Sequence, residues 1–133
     1  MGERILLGIP NKIGHGYIPV KSLGLDFLNT DFAIQHRRLT VFHHKGTLCA
    51  NPGCEKVGIQ VIEAKQKRGN SSHIDVYTKD FELMTVDHIM PKCADGGEEL
   101  SNKQPMCQKC NEQKGGTIPE GMIKIEIIEN QAE

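Results

Sequence analysis

This sequence has little of what large hydrophobic cores and membrane segments require. Aromatic residues make up only 5% of its 133 residues, tryptophan is absent, and hydrophobic residues reach 38%. No apolar run approaches the roughly 18 residues of a transmembrane helix, which argues against a membrane partner. The first ten residues also lack the length and the small-residue cleavage site of a signal peptide, so we expect a cytoplasmic protein.

A large excess of one charge is also missing. The formal net charge is −1, so the chain is not a bulk polycation. Residues 1–70 nevertheless hold 10 Lys and Arg against 5 Asp and Glu, whereas residues 71–133 hold 6 against 12. If the protein binds DNA, we expect its first half to supply much of the phosphate contact. Ordinary solvated charge is the alternative.

Cysteines are present in a pattern that points to a metal. A length of 133 residues fits one domain, and so thin a core makes a stabilising metal plausible. In a cytosolic protein, five cysteines favour metal binding over disulfides. Cys49 and Cys54 form a C-x4-C pair, and Cys107 and Cys110 a C-x-x-C pair. Because zinc prefers four tetrahedral ligands, the two pairs together predict a structural Zn²⁺ site, with Cys93 left as a free thiol.

Side chains suited to hydrolytic chemistry lie between residues 85 and 115. Asp87 and His88 end an apolar run, Asn102 follows a Gly-Gly loop, and Asn111 stands directly after the second cysteine pair. Hydrolysis of a phosphodiester needs a base for water and positive charge for the leaving 3′ oxygen. His88 suits the first task, because a free imidazole titrates near neutral pH, whereas Asp87 and Asn111 offer the hard oxygen ligands that Mg²⁺ accepts. We expect Asn102 to hold the loop and the backbone of His88 in place.

Each of these residues has an ordinary alternative. Asp87 and Asn102 could belong to turns, His88 could be a satisfied core histidine, and Asn111 could cap the helix after Cys110. Their joint occurrence beside the C-x-x-C pair favours the catalytic interpretation. Since neighbouring residues on a strand face opposite ways, Asp87 and His88 can serve one site only if the strand ends or twists there.

The apolar pattern around this region predicts a small α+β domain. Residues 81–86 read as a strand, 103–106 as a second strand and 108–114 as a helix, which together make a ββα unit with the metal between strand end and helix. Residues 57–64 and 74–78 predict an additional β-hairpin.

The two ends of the chain are less well defined by pattern. We expect turns over most of residues 1–30, then a short helix that begins near 29–31 and continues to about 39. Residues 122–129 alternate as a terminal strand would, added to the sheet or to a second protomer, with a short helix as the alternative.

Several cations are candidates for contacts with a nucleic-acid backbone. They lie in a basic, histidine-rich segment, in the turn of the predicted hairpin, and at the end of the predicted helix. A solvated helix face and a solubilising loop are the alternatives for the first two groups. The predicted DNA-contact residues are Arg37, Arg38, Lys45, Lys65, Lys67, Arg68 and Lys114.

The combined motif resembles the HNH nuclease family, within the wider His-Me finger (ββα-metal) group. The matching residues are D-H-I-M-P at 87–91, Gly-Gly at 96–97, Asn102, and C-Q-K-C-N-E-Q-K at 107–114, and it is most similar to small stand-alone phage-type or bacterial HNH proteins. The resemblance implies that the four paired cysteines bind structural zinc, that His88 is the general base, and that Asp87 and Asn111 hold the catalytic metal. Asn102 is then the middle Asn of the motif.

One position departs from the family pattern. The final His of the name is Asn111 here, as in the similar HNH domain of CRISPR effector nucleases. Because an oxygen ligand replaces an imidazole, we expect Mg²⁺ or Mn²⁺ rather than Zn²⁺ or Ni²⁺ in catalysis.

The sequence as a whole therefore predicts a DNA endonuclease. We expect residues 1–44 to form an N-terminal arm of unknown function and residues 45–133 a zinc-stabilised nuclease domain, the whole forming one compact unit. A single site should nick double-stranded DNA as a monomer, so a double-strand break would need a homodimer or two events. The alternatives are a non-catalytic zinc-stabilised DNA-binding module and a structural or regulatory protein that kept the fold without the activity.

Overall fold

The structure is a computed structural model that describes residues 9–13, 16–66, 68–69 and 71–115. Five strands form one antiparallel sheet in sequence order: β1 (Ile18–Ser22), β2 (Gln60–Lys65), β3 (Ser72–Tyr77), β4 (Leu83–His88) and β5 (Lys103–Cys107). Within the described ranges, three α-helices accompany it: α1 (Asp31–Gln35), α2 (Leu39–Lys45) and α3 (Gln108–Lys114). The predicted α+β class is confirmed. Within the described residues, no helix is long and apolar enough to cross a lipid bilayer.

The predicted ββα unit consists of β4, β5 and α3. The two strands pair from Met84 opposite Cys107 to His88 opposite Lys103. The end of β4 therefore lies beside the start of β5, and α3 begins directly where β5 ends. Gly115 closes the helix with a φ of +51°, a conformation that glycine adopts without steric cost.

The predicted hairpin consists of β2 and β3, and it is buried on both faces. Val61 and Val76 face the larger of two apolar clusters, whereas Ile62, Ala64 and Tyr77 form a smaller one. Since both faces are covered, the strands do not need strict alternation of polar and apolar residues, which explains their mixed pattern.

The chain before residue 45 contributes to the same sheet and core. Strand β1 pairs antiparallel with β2, from Ile18 opposite Lys65 to Ser22 opposite Ile62. Helix α2 buries three apolar side chains of the basic segment, and the preceding turn and helix add two more to the larger cluster. These residues are Leu28, Ala33, Leu39, Val41 and Phe42.

The single helix predicted to run to about residue 39 is wrong, because two helices with a break take its place. Thr30 caps α1, its hydroxyl accepting the N–H of Ala33 at 3.3 Å. The chain then becomes extended at His36, whose ring Nδ1 accepts the N–H groups of Arg38 (3.1 Å) and Leu39 (3.2 Å). The ring thus satisfies N–H groups at the start of α2 that have no partner within the helix. Burial lowers the pKa of His36, and the charge of Arg38 lowers it further.

Two sequence predictions lie outside the described residues. They are the terminal strand at 122–129 and the DNA contact at Lys67.

Candidate active site and metal centre

The four paired cysteines come together at one end of the ββα unit. Their Sγ atoms all lie within 4.8 Å of one another. A tetrahedral zinc with Zn–S bonds of about 2.3 Å needs sulfur–sulfur separations of about 3.8 Å, so small adjustments would close the site around an ion. Four thiols in this arrangement fit Zn²⁺, which is the ion that we predict for them.

Local structure explains how the two cysteine pairs meet. The first pair is shaped by a turn in which the N–H of Cys54 donates to Asn51 O at 3.0 Å and Gly53 has a φ of +86°. The turn is fastened to β5, because the N–H of Ala50 donates to Pro105 O at 2.9 Å. The C-x-x-C pair follows immediately, at the end of β5 and in the first turn of α3.

The thiols differ in how readily they ionise before a metal binds. Burial raises the pKa of Cys107 to about 12 and also raises the pKa of Cys49. The side chain of Asn51 donates to Cys110 Sγ at 3.2 Å and lowers the pKa of that thiol. Because a metal binds thiolates, occupation of this site must release protons from the two buried cysteines.

At the other end of the unit, Asp87 is buried between β5 and α3. Its residue exposure is 5%, and it stands opposite Gln104 in the ladder. Gln104 Nε2 donates to Asp87 Oδ2 at 2.9 Å, and Lys114 Nζ lies 3.3 Å from the same oxygen. Both contacts use Oδ2, which leaves Oδ1 as the oxygen better placed to accept a metal.

Asn111 lies at the same face of β4 as Asp87, because it contacts Thr85, two residues before Asp87 on that strand. Its Nδ2 donates to Thr85 Oγ1 at 2.7 Å, and that hydroxyl donates its own proton to Met106 O at 2.7 Å. Because the hydroxyl hydrogen is already used, Thr85 can only accept from the amide. The Asn111 NH₂ group must therefore face Thr85, and its carbonyl oxygen points away, as a metal ligand requires.

His88 is the last residue of β4, and its side chain contacts the loop that joins β4 to β5. Its Nε2 lies 3.1 Å from Glu98 Oε2. Asp87 and Asn111 contact partners on β5, β4 and α3, whereas the ring of His88 turns toward this loop. The structure thus brings Asp87 and Asn111 to one face, with His88 at the strand end beside them.

Asn102 holds the loop in its conformation. Its Oδ1 accepts the N–H of Met90 at 2.8 Å, and its Nδ2 donates to Met90 O at 3.1 Å and Gly97 O at 2.8 Å. The residue is 9% exposed, and both of its amide hydrogens are used within the loop. These contacts describe a positioning residue, and they hold the backbone that directly follows His88.

Gly96 belongs to the same loop and has no room for a side chain. A Cβ there would lie 1.6 Å from Met90 O and 2.8 Å from Pro91 O. The backbone of the loop passes so close to the end of β4 that only glycine fits.

The predicted DNA-contact cations fall into two groups. Arg38 Nε forms an ion pair with Asp75 at 2.9 Å, and Lys45 Nζ donates to Leu100 O at 2.8 Å and to Lys103 O. Both head groups are engaged within the protein, and their contribution to DNA binding stays a prediction. Arg37, Lys65 and Arg68 are also in the predicted set, and they are exposed, as is Lys45 despite its two hydrogen bonds.

Five residues around the site have roles that the sequence alone did not suggest. Thr85 and Gln104 contact the predicted metal ligands, Glu98 contacts the ring of His88, and Lys92 and Lys103 contact Glu98. Glu98 lies 2.9 Å from Lys92 and 3.4 Å from Lys103 as well as contacting His88, and the hydrogen bond from Lys92 is the main cause that lowers the pKa of Glu98 to about 2. Strand alternation could have identified Thr85, which stands two residues before Asp87 and therefore shares its face.

Comparison with known proteins gives one finding. Residues 75–125 match the family model described as HNH endonuclease, which confirms the resemblance seen in the sequence. The match includes β4, β5, α3 and the second cysteine pair, whereas Cys49 and Cys54 lie before it. No curated protein and no solved structure gives a significant match.

Proposed function

We propose that this chain, whose residues 75–125 match the HNH endonuclease family model, is a metal-dependent endonuclease that hydrolyses phosphodiester bonds of double-stranded DNA. The observation that supports this most is the geometry of β4 and α3. It gives Asp87 and Asn111 a common face, with one oxygen of each outside the hydrogen bonds made among residues 9–115 as described, and His88 lies at the end of the same strand.

Each residue of the site has a separate role in hydrolysis. Asp87 and Asn111 would hold Mg²⁺ or Mn²⁺, which when bound supplies positive charge for the leaving oxygen. His88 accepts a proton from the attacking water through its imidazole. Asn102 keeps the strand end and the loop in register, so that the position of His88 is fixed before DNA binds.

The four-cysteine cluster would stabilise this arrangement. It lies where β5 passes into α3, and α3 runs from there to Lys114 beside Asp87. A Zn²⁺ ion in the cluster would fix the start of the helix that carries Asn111. We therefore assign it a structural role, separate from the catalytic metal.

A second function, a zinc-stabilised DNA-binding module without catalysis, is favoured by one contact. Lys114 Nζ lies 3.3 Å from Asp87 Oδ2, so a protein cation already accompanies the predicted metal ligand. In the nuclease, Lys114 would have to share Asp87 with the metal or turn toward a phosphate.

The experiment that separates the two functions is cleavage of supercoiled plasmid by the zinc-loaded protein with added Mg²⁺ or Mn²⁺. We expect nicked circles, and we expect none when both metals are omitted or when His88 is replaced by alanine. His44→Ala, which removes an exposed histidine of α2, serves as the matched control and should cleave normally. DNA binding without cleavage under either metal would favour the binding module.

A further inference from the structure

Three basic groups from three separate segments converge on the exposed carboxylate of Glu98. His88 at the end of β4 lies 3.1 Å from Glu98 Oε2, and Lys92 in the short helix Lys92–Ala94 lies 2.9 Å from the same oxygen. Lys103 at the start of β5 lies 3.4 Å from Oε1. The proposed catalytic mechanism uses only His88 among these groups.

The exposures of the partners show which of them are fixed. The side chain of Lys103 is only 9% exposed, and its backbone pairs with His88 in the sheet, so its backbone and its stem are fixed. The side chain of Glu98 is 54% exposed and belongs to the loop between the two strands. The basic groups thus form a partly rigid receptor, and Glu98 is the more accessible anion within it.

A carboxylate and a backbone phosphate present the same kind of acceptor to such a receptor. Both are oxyanions that bind ammonium donors through short charge-assisted hydrogen bonds. We propose that Lys92 and Lys103, beside His88, form a binding site for a backbone phosphate of DNA, and that Glu98 occupies this site in the free protein as a displaceable substitute. This inference rests on the proposed function, because it names how that same site receives its substrate.

A neighbouring cleft supports the proposal. It has a volume of about 350 Å³, and Glu98 and Lys103 line it together with Arg37, which is exposed. The cleft gives a phosphodiester a path to Lys103 and gives Glu98 space to withdraw. It also links Arg37, predicted from sequence as a DNA contact, to the neighbourhood of His88.

This arrangement would couple DNA binding to the availability of His88 as the general base. While Glu98 contacts His88 Nε2, that nitrogen is not free to contact a water. An incoming phosphate that displaces Glu98 releases the ring at the moment that substrate arrives.

The test is the affinity of a fluorescein-labelled DNA duplex for zinc-loaded protein, measured by anisotropy without added Mg²⁺ or Mn²⁺, so that no cleavage is needed. Glu98→Gln keeps the shape of the side chain and removes the competing anion. We expect it to bind DNA about tenfold more tightly than wild type. Glu99→Gln, which makes the same charge change at the adjacent exposed residue, should improve binding by no more than about twofold, the size of a general charge effect.

A second set of variants tests whether the effect passes through the two lysines. In a Lys92→Gln, Lys103→Met background, the gain from Glu98→Gln should fall to that of Glu99→Gln. The methionine retains the packing of the buried stem of Lys103. Coupling of this kind is not expected from a change in overall charge, whose effects add.

Two results would overturn the proposal. One is a Glu98→Gln protein that binds DNA no more tightly than Glu99→Gln, especially if its cleavage is also slower, since Glu98 would then be orienting His88 as a carboxylate partner. The other is a gain that persists without the two lysines. Plasmid cleavage reports separately on the proposed function, so an inactive protein with intact coupling would retain the phosphate site and lose the nuclease.

Discussion

Replacing Thr85 by valine removes one hydroxyl from β4 and keeps the shape of the side chain. In the wild-type protein that hydroxyl accepts from Asn111 Nδ2 at 2.7 Å and donates to Met106 O at 2.7 Å. In Thr85→Val, the NH₂ group of Asn111 would face a methyl group whenever the carbonyl oxygen points toward a metal. The free protein can avoid this by turning the amide to solvent, so the cost falls on the metal-bound state.

The size of that cost follows from the contacts. Leaving a buried N–H without a partner costs about 1–3 kcal/mol, and the half-buried position of Asn111 places it in the lower part of this range. A loss of about 1–2 kcal/mol corresponds to about 5- to 30-fold weaker metal binding. Thr85→Ser retains the hydroxyl and should bind metal nearly as wild type does.

The assay is titration of zinc-loaded protein with Mn²⁺, in which the EPR signal of free Mn²⁺ measures the bound fraction. Manganese prefers oxygen ligands and is not expected to displace zinc from four thiolates. The decisive comparison is an Asn111→Asp background, because a carboxylate can present an oxygen without any fixed amide orientation. We expect Thr85→Val to weaken Mn²⁺ binding beside Asn111 and to have little effect beside Asp. An equal loss in both backgrounds, or no loss in either, would refute the role of Thr85 in orienting Asn111.

Three further outcomes are expected. Removal of zinc with a strong chelator should abolish the cooperative thermal transition, since structural zinc sites contribute on the order of 10 kcal/mol to the free energy of folding. An apo form that still melts cooperatively in calorimetry would contradict the four-cysteine site. Acidification from pH 7.5 toward 5.5 should lower the free energy of unfolding, because the pKa of His36 is lowered by folding and the unfolded state therefore binds more protons there. His36→Asn, a cap that does not titrate, should lose this part of the pH dependence in urea unfolding at each pH, and an unchanged dependence would argue against the cap. Changing Lys65 and Arg68 to alanine should weaken DNA binding and reduce its salt slope by up to about 2, whereas the same change at Lys79 and Lys109, at the zinc end of the sheet, should not.

The sheet topology is the reason why cations of the β2–β3 turn are expected to contact DNA. Neighbouring strands are antiparallel, so the turn between Lys65 and Ser72 lies at the same end of the sheet as the last residues of β4. DNA that reaches His88 would therefore approach this basic turn, and a solvated loop without contact to DNA is the alternative that the salt slope distinguishes.

Much of the ββα unit could be predicted from sequence, because its signals are local. The sequence predicts the helix at 108–114 with the bounds that the structure shows, since Gly115 and the C-x-x-C pair mark its ends. Residues 103–106 and 81–86 were predicted as strands within two residues of β5 and β4. The two cysteine pairs also met as predicted, because four soft ligands in two short loops have few other arrangements.

The regions that sequence could not predict depend on contacts between distant segments. Strand β1 has the pattern of an irregular loop, and it becomes a strand because β2 offers it an edge to pair with. The break after α1 arises because the ring of His36 accepts two backbone N–H groups, which no helix propensity records. Arg38 was a candidate for DNA contact by composition alone, yet its position beside Asp75 gives it a partner within the protein.

The sequence by itself determined which chemistry the site contains: an imidazole, a carboxylate, an amide and four thiols at spacings typical of a zinc-stabilised nuclease. Only the tertiary structure decided how those groups are used. Thr85 orients the amide of Asn111, Gln104 contacts one oxygen of Asp87, and Glu98 contacts Nε2 of His88. These partners come from an adjacent strand, the opposite strand and a loop, so their roles follow from strand register and chain packing rather than from neighbours in sequence.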